Sequence, residues 1–216
     1  MKRTEQRLQR PRSRRAHDKV LDSAIELFAN RGIEGTSIDS IAAASGVSKA
    51  TIYKHWADKN ALCLEVLERV HGVDRERPKF DSGDLQQDII DFLKHKPPEE
   101  LSELRDRLMP HLIAYAARDP EFGRTWRSRV MEPGRAKAIE LMERGIARGQ
   151  FPADLDLALG VALLIGPMMY RHIFRDRFPA PENLAEGVAN AFWRAFAIRE
   201  PAPEKTPAGR GRKRRS

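Results

Sequence analysis

The sequence predicts an all-α chain in two parts, a three-helix N-terminal unit and a larger helical unit behind it. Three observations carry this. Apolar residues recur at helical spacing in segment after segment between residues 17 and 198. Glycines and prolines separate those segments, at Gly46, Pro97-Pro98, Pro133-Gly134 and GQFPADLD. Residues 36–59, TSIDSIAAASGVSKATIYKHWADK, compress two short helices and the start of a third around one glycine.

Residues 1–15 hold seven Lys/Arg and one Glu, a net charge of +6, and almost nothing apolar. Such a segment cannot bury a core, so residues 1–16 are expected to be a disordered basic arm. It lacks the apolar stretch of a secretory signal. The first helix is expected over 17–31, where Val20, Leu21, Ala24, Ile25, Leu27 and Phe28 form a stripe and Gly32 suits the C-terminal end. Thr36 is placed to cap the next helix, with Asp39 as the acidic half of a capping box. Ile38, Ile41 and Ala42 give that helix its apolar face, and the small Ala43 and Ala44 allow a close neighbour. Gly46 allows a positive φ at the turn, and Val47 plugs the corner. Ser48 caps the following helix, SKATIYKHW, which turns Ile52 and Trp56 inward. Its remaining surface carries Lys49, Thr51, Tyr53, Lys54 and His55. A helix, a glycine turn and a polar, basic second helix is the helix-turn-helix arrangement of major-groove readers.

Asp58 caps a fourth helix over 58–73. Cys63 lies on it as a packing residue, and a single cysteine leaves no intrachain disulfide. DRERPKFDSGD reads as a polar linker. Further helices are expected at 85–94, at 99–117, and from 119 to 148 with an interruption near Pro133-Gly134. The last two are expected at 154–175 and 181–198. Residues 157–170 are apolar nearly all round, so they need covering on every side. That run is shorter than the ~20 residues of a membrane span. With the next helix it suits a four-helix interface across a two-fold axis. The tail 201–216 is low-complexity and basic at +5 and is expected to be disordered; Arg210-Gly211-Arg212 resembles the centre of a minor-groove hook, with Lys213 where a proline usually follows.

The run IDSIAAASGVSKATIY, with Thr36 before it and Trp56, Lys59 and Leu62 after it, resembles the N-terminal domain of TetR-type transcriptional regulators across residues 17–70. Ala50 and Trp56 depart from the commoner glycine and phenylalanine. ARGQFPADLDLALGVALLIGPMMYRHIF is similar to a C-terminal domain type of the same family. The resemblance implies a DNA-binding domain over 17–62 and a ligand-binding and dimerisation domain over 63–200. It implies a homodimer on double-stranded operator DNA in the cytoplasm, and a repressor released by a small apolar or amphipathic ligand.

Chemistry sorts the DNA-reading candidates. Lys49, Thr51, Lys54 and His55 suit base edges. Thr36, Ser48, Tyr53 and Lys59 suit phosphates, and the resemblance supports Thr36, Tyr53 and Lys59 in that role. Plain N-capping is the other reading of Thr36 and Ser48, and packing that of Tyr53; Trp56 is read as core. The implied pocket would draw on Met109, His111, Tyr115, Phe122, Trp126, Met131, Met168, Met169 and His172, each of which also reads as ordinary core.

Catalytic signatures are missing: no GxSxG, P-loop, HExxH or dinucleotide fingerprint occurs, and no two of the six histidines sit at i, i+3 or i+4. No enzyme activity, cofactor or metal is expected. The chain's +8 and its tails' +6 and +5 leave residues 17–200 at −3, so attraction to DNA must come from the motif and the tails. Two rival functions remain open from sequence: an architectural DNA binder without an effector, and an all-helical enzyme.

Overall fold

The computed structural model describes residues 11–73, 75, 78–95, 99–174 and 183–198, without the side chains of 11, 12, 99 and 172–174. The expected tail 201–216, with Arg210-Gly211-Arg212, and the first ten residues of the arm lie outside the described residues. Among the described residues ten α-helices follow one another: α1 Pro11–Arg31, α2 Ile38–Ser45, α3 Lys49–His55, α4 Lys59–Val70, α5 Leu85–Lys94, α6 Ser102–Arg118, α7 Pro120–Trp126, α8 Glu132–Ala147, α9 Leu157–Phe174 and α10 Leu184–Phe196.

α1 starts at Pro11, ahead of the expected residue 17, so the last part of the expected disordered arm is helical. A proline is well suited to a first helical turn, because its missing N–H has no partner there anyway. The stripe of Val20, Leu21, Ala24, Ile25 and Phe28 is buried as its spacing requires. Gly32 ends the helix at φ +76°.

The expected cap of α2 is corrected. Ser37 is the N-cap; its hydroxyl accepts from the Ser40 N–H, and Ser40 Oγ accepts from the Ser37 N–H, both at 3.1 Å. Neither Thr36 nor Asp39 takes part, because the Thr36 hydroxyl is turned inward and donates to the Gly32 carbonyl at 2.8 Å. Ala43 and Ala44, expected against a neighbouring helix, are exposed; Ala42 and Val47 meet the core instead. Gly46 ends α2 in the left-handed region at φ +67°. A Cβ there would touch nothing among the described residues within 4 Å, so conformation rather than space calls for glycine. Ser48 caps α3 and Asp58 caps α4 as expected.

The break expected at Pro133-Gly134 falls earlier. Residues Arg127–Met131 form a π-helical turn, and Pro133 sits in the first turn of α8. Proline has no N–H for the carbonyl four residues back, and the wide turn just upstream absorbs the change of register.

Apolar packing divides into two clusters. The first joins α1–α4 to α6, α7 and the π-turn, through residues such as Phe28, Ile41, Ile52, Leu67, Leu108, Leu112, Phe122 and Trp126. The second joins α5, α8, α9 and α10 around Leu85, Ile89, Leu141, Met142, Phe151, Leu164 and Phe192. The first cluster therefore extends past residue 62, the expected edge of the N-terminal domain. Within the second, Asp88 is 1% exposed and neutralised by the Arg144 guanidinium, which also donates to the Phe80 carbonyl at 2.8 Å. α5 and the chain after α8 close tightly on Gly145, where a Cβ would lie 2.3 Å from Phe151 Cδ2.

Candidate nucleic-acid interface and the core behind it

α3 has seven residues, too few to hold a helix without tertiary contacts. Its first turn is fixed by Ser48, whose hydroxyl accepts from the Thr51 N–H and lies 2.9 Å from Thr51 Oγ1. Ile52 anchors its centre, fully buried. Its end is fixed by Trp56, which is 3% exposed and donates Nε1–H to Glu65 Oε2 at 2.6 Å. These fixings leave one side of α3 facing out. Tyr53 is 51% exposed, Lys54 and Ser48 are exposed, and Thr51 and His55 are half-buried at the edges. Lys49 is exposed and paired with Asp39 of α2 at 2.7 Å, which holds its charge form firmly and raises its pKa. The structure thus brings Ser48, Lys49, Thr51, Tyr53, Lys54 and His55 onto one short helix with an outward face.

Thr36 and Lys59, expected on phosphates, work inside the domain. Thr36 is 1% exposed. Lys59 Nζ donates to the Ile33 carbonyl at 2.8 Å and the Thr36 carbonyl at 3.2 Å, and lies 5.8 Å from the Tyr115 ring centroid. The physical reason is the loop between α1 and α2. Its carbonyls have no helical N–H to accept from, and an ammonium at the start of α4 supplies the donors.

Sequence reasoning missed the cluster beneath the end of α3. His17 of α1 stacks on Trp56 with centroids 4.7 Å apart, and its Nε2 is 2.9 Å from Glu65 Oε1. His55 meets the His17 ring edge-on at 5.3 Å, and Ser13 Oγ lies 3.4 Å from His55 Nε2. Burial lowers the His55 pKa, with neighbouring His17 acting the same way and Glu65 against. A buried tryptophan needs a partner for its N–H, and that requirement was the available signal.

The second candidate region is partly assembled. Met109, Phe122 and Trp126 are buried in the first cluster, with Tyr115, Met131 and Met169 packed against it. Met168 packs instead on the second cluster, and His111 is an exposed residue of α6 lying over Gly32, just past the end of α1. Both depart from the expected grouping, since neighbouring positions on α9 and successive turns of α6 face different partners. The side chain of His172 lies outside the described residues. Among the described residues, buried Trp126 Nε1 has no hydrogen-bond partner. Cys63 is buried and its thiol is pushed up to about 12 by burial, so it offers no thiolate at neutral pH. No cluster of three or more metal-ligating residues occurs among the described residues.

This core reaches the reading head directly. Tyr115 Oη donates to Asn60 Oδ1 at 2.6 Å, and Asn60 Nδ2 donates to Asp119 Oδ2 at 3.0 Å. Asp119 Oδ1 accepts from the Phe122 N–H at 3.0 Å and so caps α7. Arg107 of α6 lies 3.7 Å from Glu26, and Arg118 pairs with Glu34 beyond the end of α1.

A short outward helix on a buried three-helix base, joined to a larger helical body, defines a helix-turn-helix DNA-binding protein. Comparison with known proteins makes this specific. Residues 20–66 match the family of bacterial regulatory proteins of the tetR type, and residues 80–192 match the tetracyclin repressor-like C-terminal domain. The chain belongs to the TetR family of transcriptional regulators, and it is a DNA-binding regulator rather than an enzyme. It is 32% identical to the Bacillus subtilis HTH-type transcriptional regulator YdeS over 162 residues, 75% of this chain and 80% of that one. It is 29% identical to the DNA-binding transcriptional repressor TetR of Mycobacteroides abscessus over 143 residues, 65% of this chain and 73% of that one. A solved TetR-family regulator from Mesorhizobium loti superposes with a TM-score of 0.61 at 26% identity, covering 88% of this chain and all of that one.

Proposed function

We propose that the chain is a homodimeric repressor that holds operator DNA with α3 and leaves it when a small, mainly apolar molecule enters the core around Trp126. The continuity of the first apolar cluster carries this reading. The same cluster that holds α1–α4 contains Met109, Phe122 and Trp126, and Tyr115 on its rim is bonded to Asn60 of α4. A molecule that repacks this region acts on the base of the reading head through direct contacts. It shifts the equilibrium only by its differential affinity for the two arrangements. Ser48, Lys49, Thr51, Tyr53, Lys54 and His55 form the DNA-facing set, with Tyr53 and Ser48 on phosphates and Lys49, Thr51, Lys54 and His55 nearest base edges.

The homodimer rests on α9 and α10. Leu159, Leu163, Tyr170 and Ile198 are 44–56% exposed, and Ala158, Ala162, Gly166, Gly187, Ala191 and Ala195 are exposed beside them. A contiguous apolar face of this kind marks an interaction surface, and a two-fold dimer covers it with itself. Among the described residues, no helix is long and apolar enough to cross a membrane. The repressor named TetR in M. abscessus supports repression as the sign of regulation.

Selection of duplexes from a random-sequence pool by the full chain tests the reading. Enrichment of a two-fold symmetric sequence is expected. Equal retention of all sequences would instead favour an architectural binder.

A further inference from the structure

We propose that Glu65 is the positioning residue of the recognition helix, tying it through Trp56 to His17 of α1, and that His55, packed edge-on against the His17 ring, makes DNA binding respond to pH. The inference rests on the DNA-regulator reading. It starts from the geometry of the helix end. Trp56 is both the C-cap of α3, its N–H closing on the Ile52 carbonyl at 3.0 Å, and the residue whose indole is buried beneath it. Turning the indole therefore turns the last turn of α3, where Lys54 and His55 sit. One carboxylate holds that indole. Glu65 uses Oε2 for the Trp56 N–H and Oε1 for His17, so α1, α3 and α4 meet at a single side chain. The stack of His17 on Trp56 closes the third side.

The charged surroundings decide the response to pH. From α1, His17 faces Glu65 and has Asp18 Oδ1 at 3.9 Å. From α4, Arg69 lies 3.7 Å from Asp18 and 2.9 Å from Asp22, so those carboxylates are shared. From α3, His55 faces His17 and Ser13. In the free protein burial and His17 disfavour a charge on His55. A bound duplex adds phosphates on the open side of α3, which favours that charge. Binding then takes up a proton at His55, and affinity rises as the pH falls.

The test uses the full chain and the duplex that the wild type itself enriches from a random pool at neutral pH. Wild-type affinity is expected to rise at least about threefold between about pH 7.5 and 6.0, since each His55 of the dimer that takes up a proton contributes at most about tenfold per pH unit. The His55→Gln variant should lose most of that dependence. Glu65→Ala strands the indole N–H and should weaken the selected duplex roughly tenfold while leaving a random duplex within about twofold, because phosphate contacts carry no sequence information. In Glu65→Gln the amide oxygen still accepts from Trp56, so discrimination should return at neutral pH. A merely structural role would lower both affinities together and leave the pH profile unchanged. The inference is overturned if folded Glu65→Ala discriminates as the wild type does, or if wild type and His55→Gln share one pH profile. Should Glu65→Ala not fold, the Glu65→Gln and His55→Gln profiles decide alone. A wild type that enriches no duplex overturns the regulator reading itself, which is a different failure.

Discussion

Lys59 separates two accounts of the same motif, and replacing it by methionine distinguishes them. Methionine keeps the aliphatic body and removes the ammonium. In the structure that ammonium donates to the Ile33 and Thr36 carbonyls at 2.8 and 3.2 Å. Hydrogen bonds from a charged donor are worth ~1.5–3 kcal/mol when buried. Lys59 is half-buried, and screening reduces that value, so the pair should contribute about 2 kcal/mol in total. For a chain of this size about 1 kcal/mol moves Tm by about 2–4 °C, which places the variant about 4–8 °C below the wild type. Thermal unfolding by circular dichroism measures this. DNA affinity should also fall, because the loop before α2 loosens. Its salt dependence should not change, because no phosphate contact is lost. Had Lys59 held a phosphate, the slope of log affinity against log salt would drop by about 0.9 for each contact. An unchanged Tm together with a flatter salt slope would refute the internal role and restore the phosphate contact read from sequence.

Three further outcomes follow from the packing and the charge. Leu163→Glu places a charge on the exposed α9 face and should yield folded monomers in sedimentation velocity, whereas wild type sedimenting as a monomer at micromolar concentration removes the basis for the dimer. Gly145→Ala drives a Cβ to within 2.3–2.8 Å of Phe151 and Leu85 and should cost roughly 1–3 kcal/mol in denaturant unfolding, whereas Gly134→Ala, with nothing among the described residues within 4 Å of its Cβ, is the clash-free helical control and should not destabilise. Removing residues 1–10 and 201–216 should flatten the salt dependence of binding to a random duplex, by about 0.9 per lost phosphate contact, and spare sequence preference; parallel salt lines for the two proteins would mean the tails do not touch DNA.

Periodicity made the helices legible, and the reasons for the misses are local. The stripe of α1 and the caps Ser48 and Asp58 could be read because each depends on neighbours three or four residues away. The cap of α2 lies one residue beyond the one the spacing suggests, since Thr36 and Ser37 are both good caps and only the inward bond of Thr36 to the Gly32 carbonyl decides between them. The roles of Lys59 and Glu65 were hidden for another reason. Lys59 meets carbonyls 26 and 23 residues back in the chain, and Glu65 meets Trp56 across a helix junction. Such partners leave no spacing signature. The outward residues of α3 were readable because the fixed inward pair, Ile52 and Trp56, leaves them no other side. The ligand list was only partly sorted by sequence, because methionine and aromatic residues have the same pattern in a plain core and in a lined one.

The effect required of the proposed ligand is small enough for the contacts seen. Allosteric coupling usually amounts to about 1–3 kcal/mol, or roughly five- to 150-fold in affinity. The Tyr115–Asn60 bond at 2.6 Å is one hydrogen bond between α6 and the start of α4, worth about 1 kcal/mol net. Asn60 sits next to Lys59, which holds the loop before α2. Displacing Tyr115 therefore disturbs two adjacent residues that set where α4 begins, and α4 carries Glu65 under the recognition helix. No long chain of weak couplings is needed, because the apolar core, the Asn60 node and the base of α3 all meet on a single helix of 12 residues. Tyr115→Phe should accordingly imitate the bound state in part, weakening operator binding about fivefold without ligand and reducing any further loss on ligand addition. Retention of full operator affinity by Tyr115→Phe, together with an unchanged ligand response, would mean that the Tyr115–Asn60 bond does not carry the coupling.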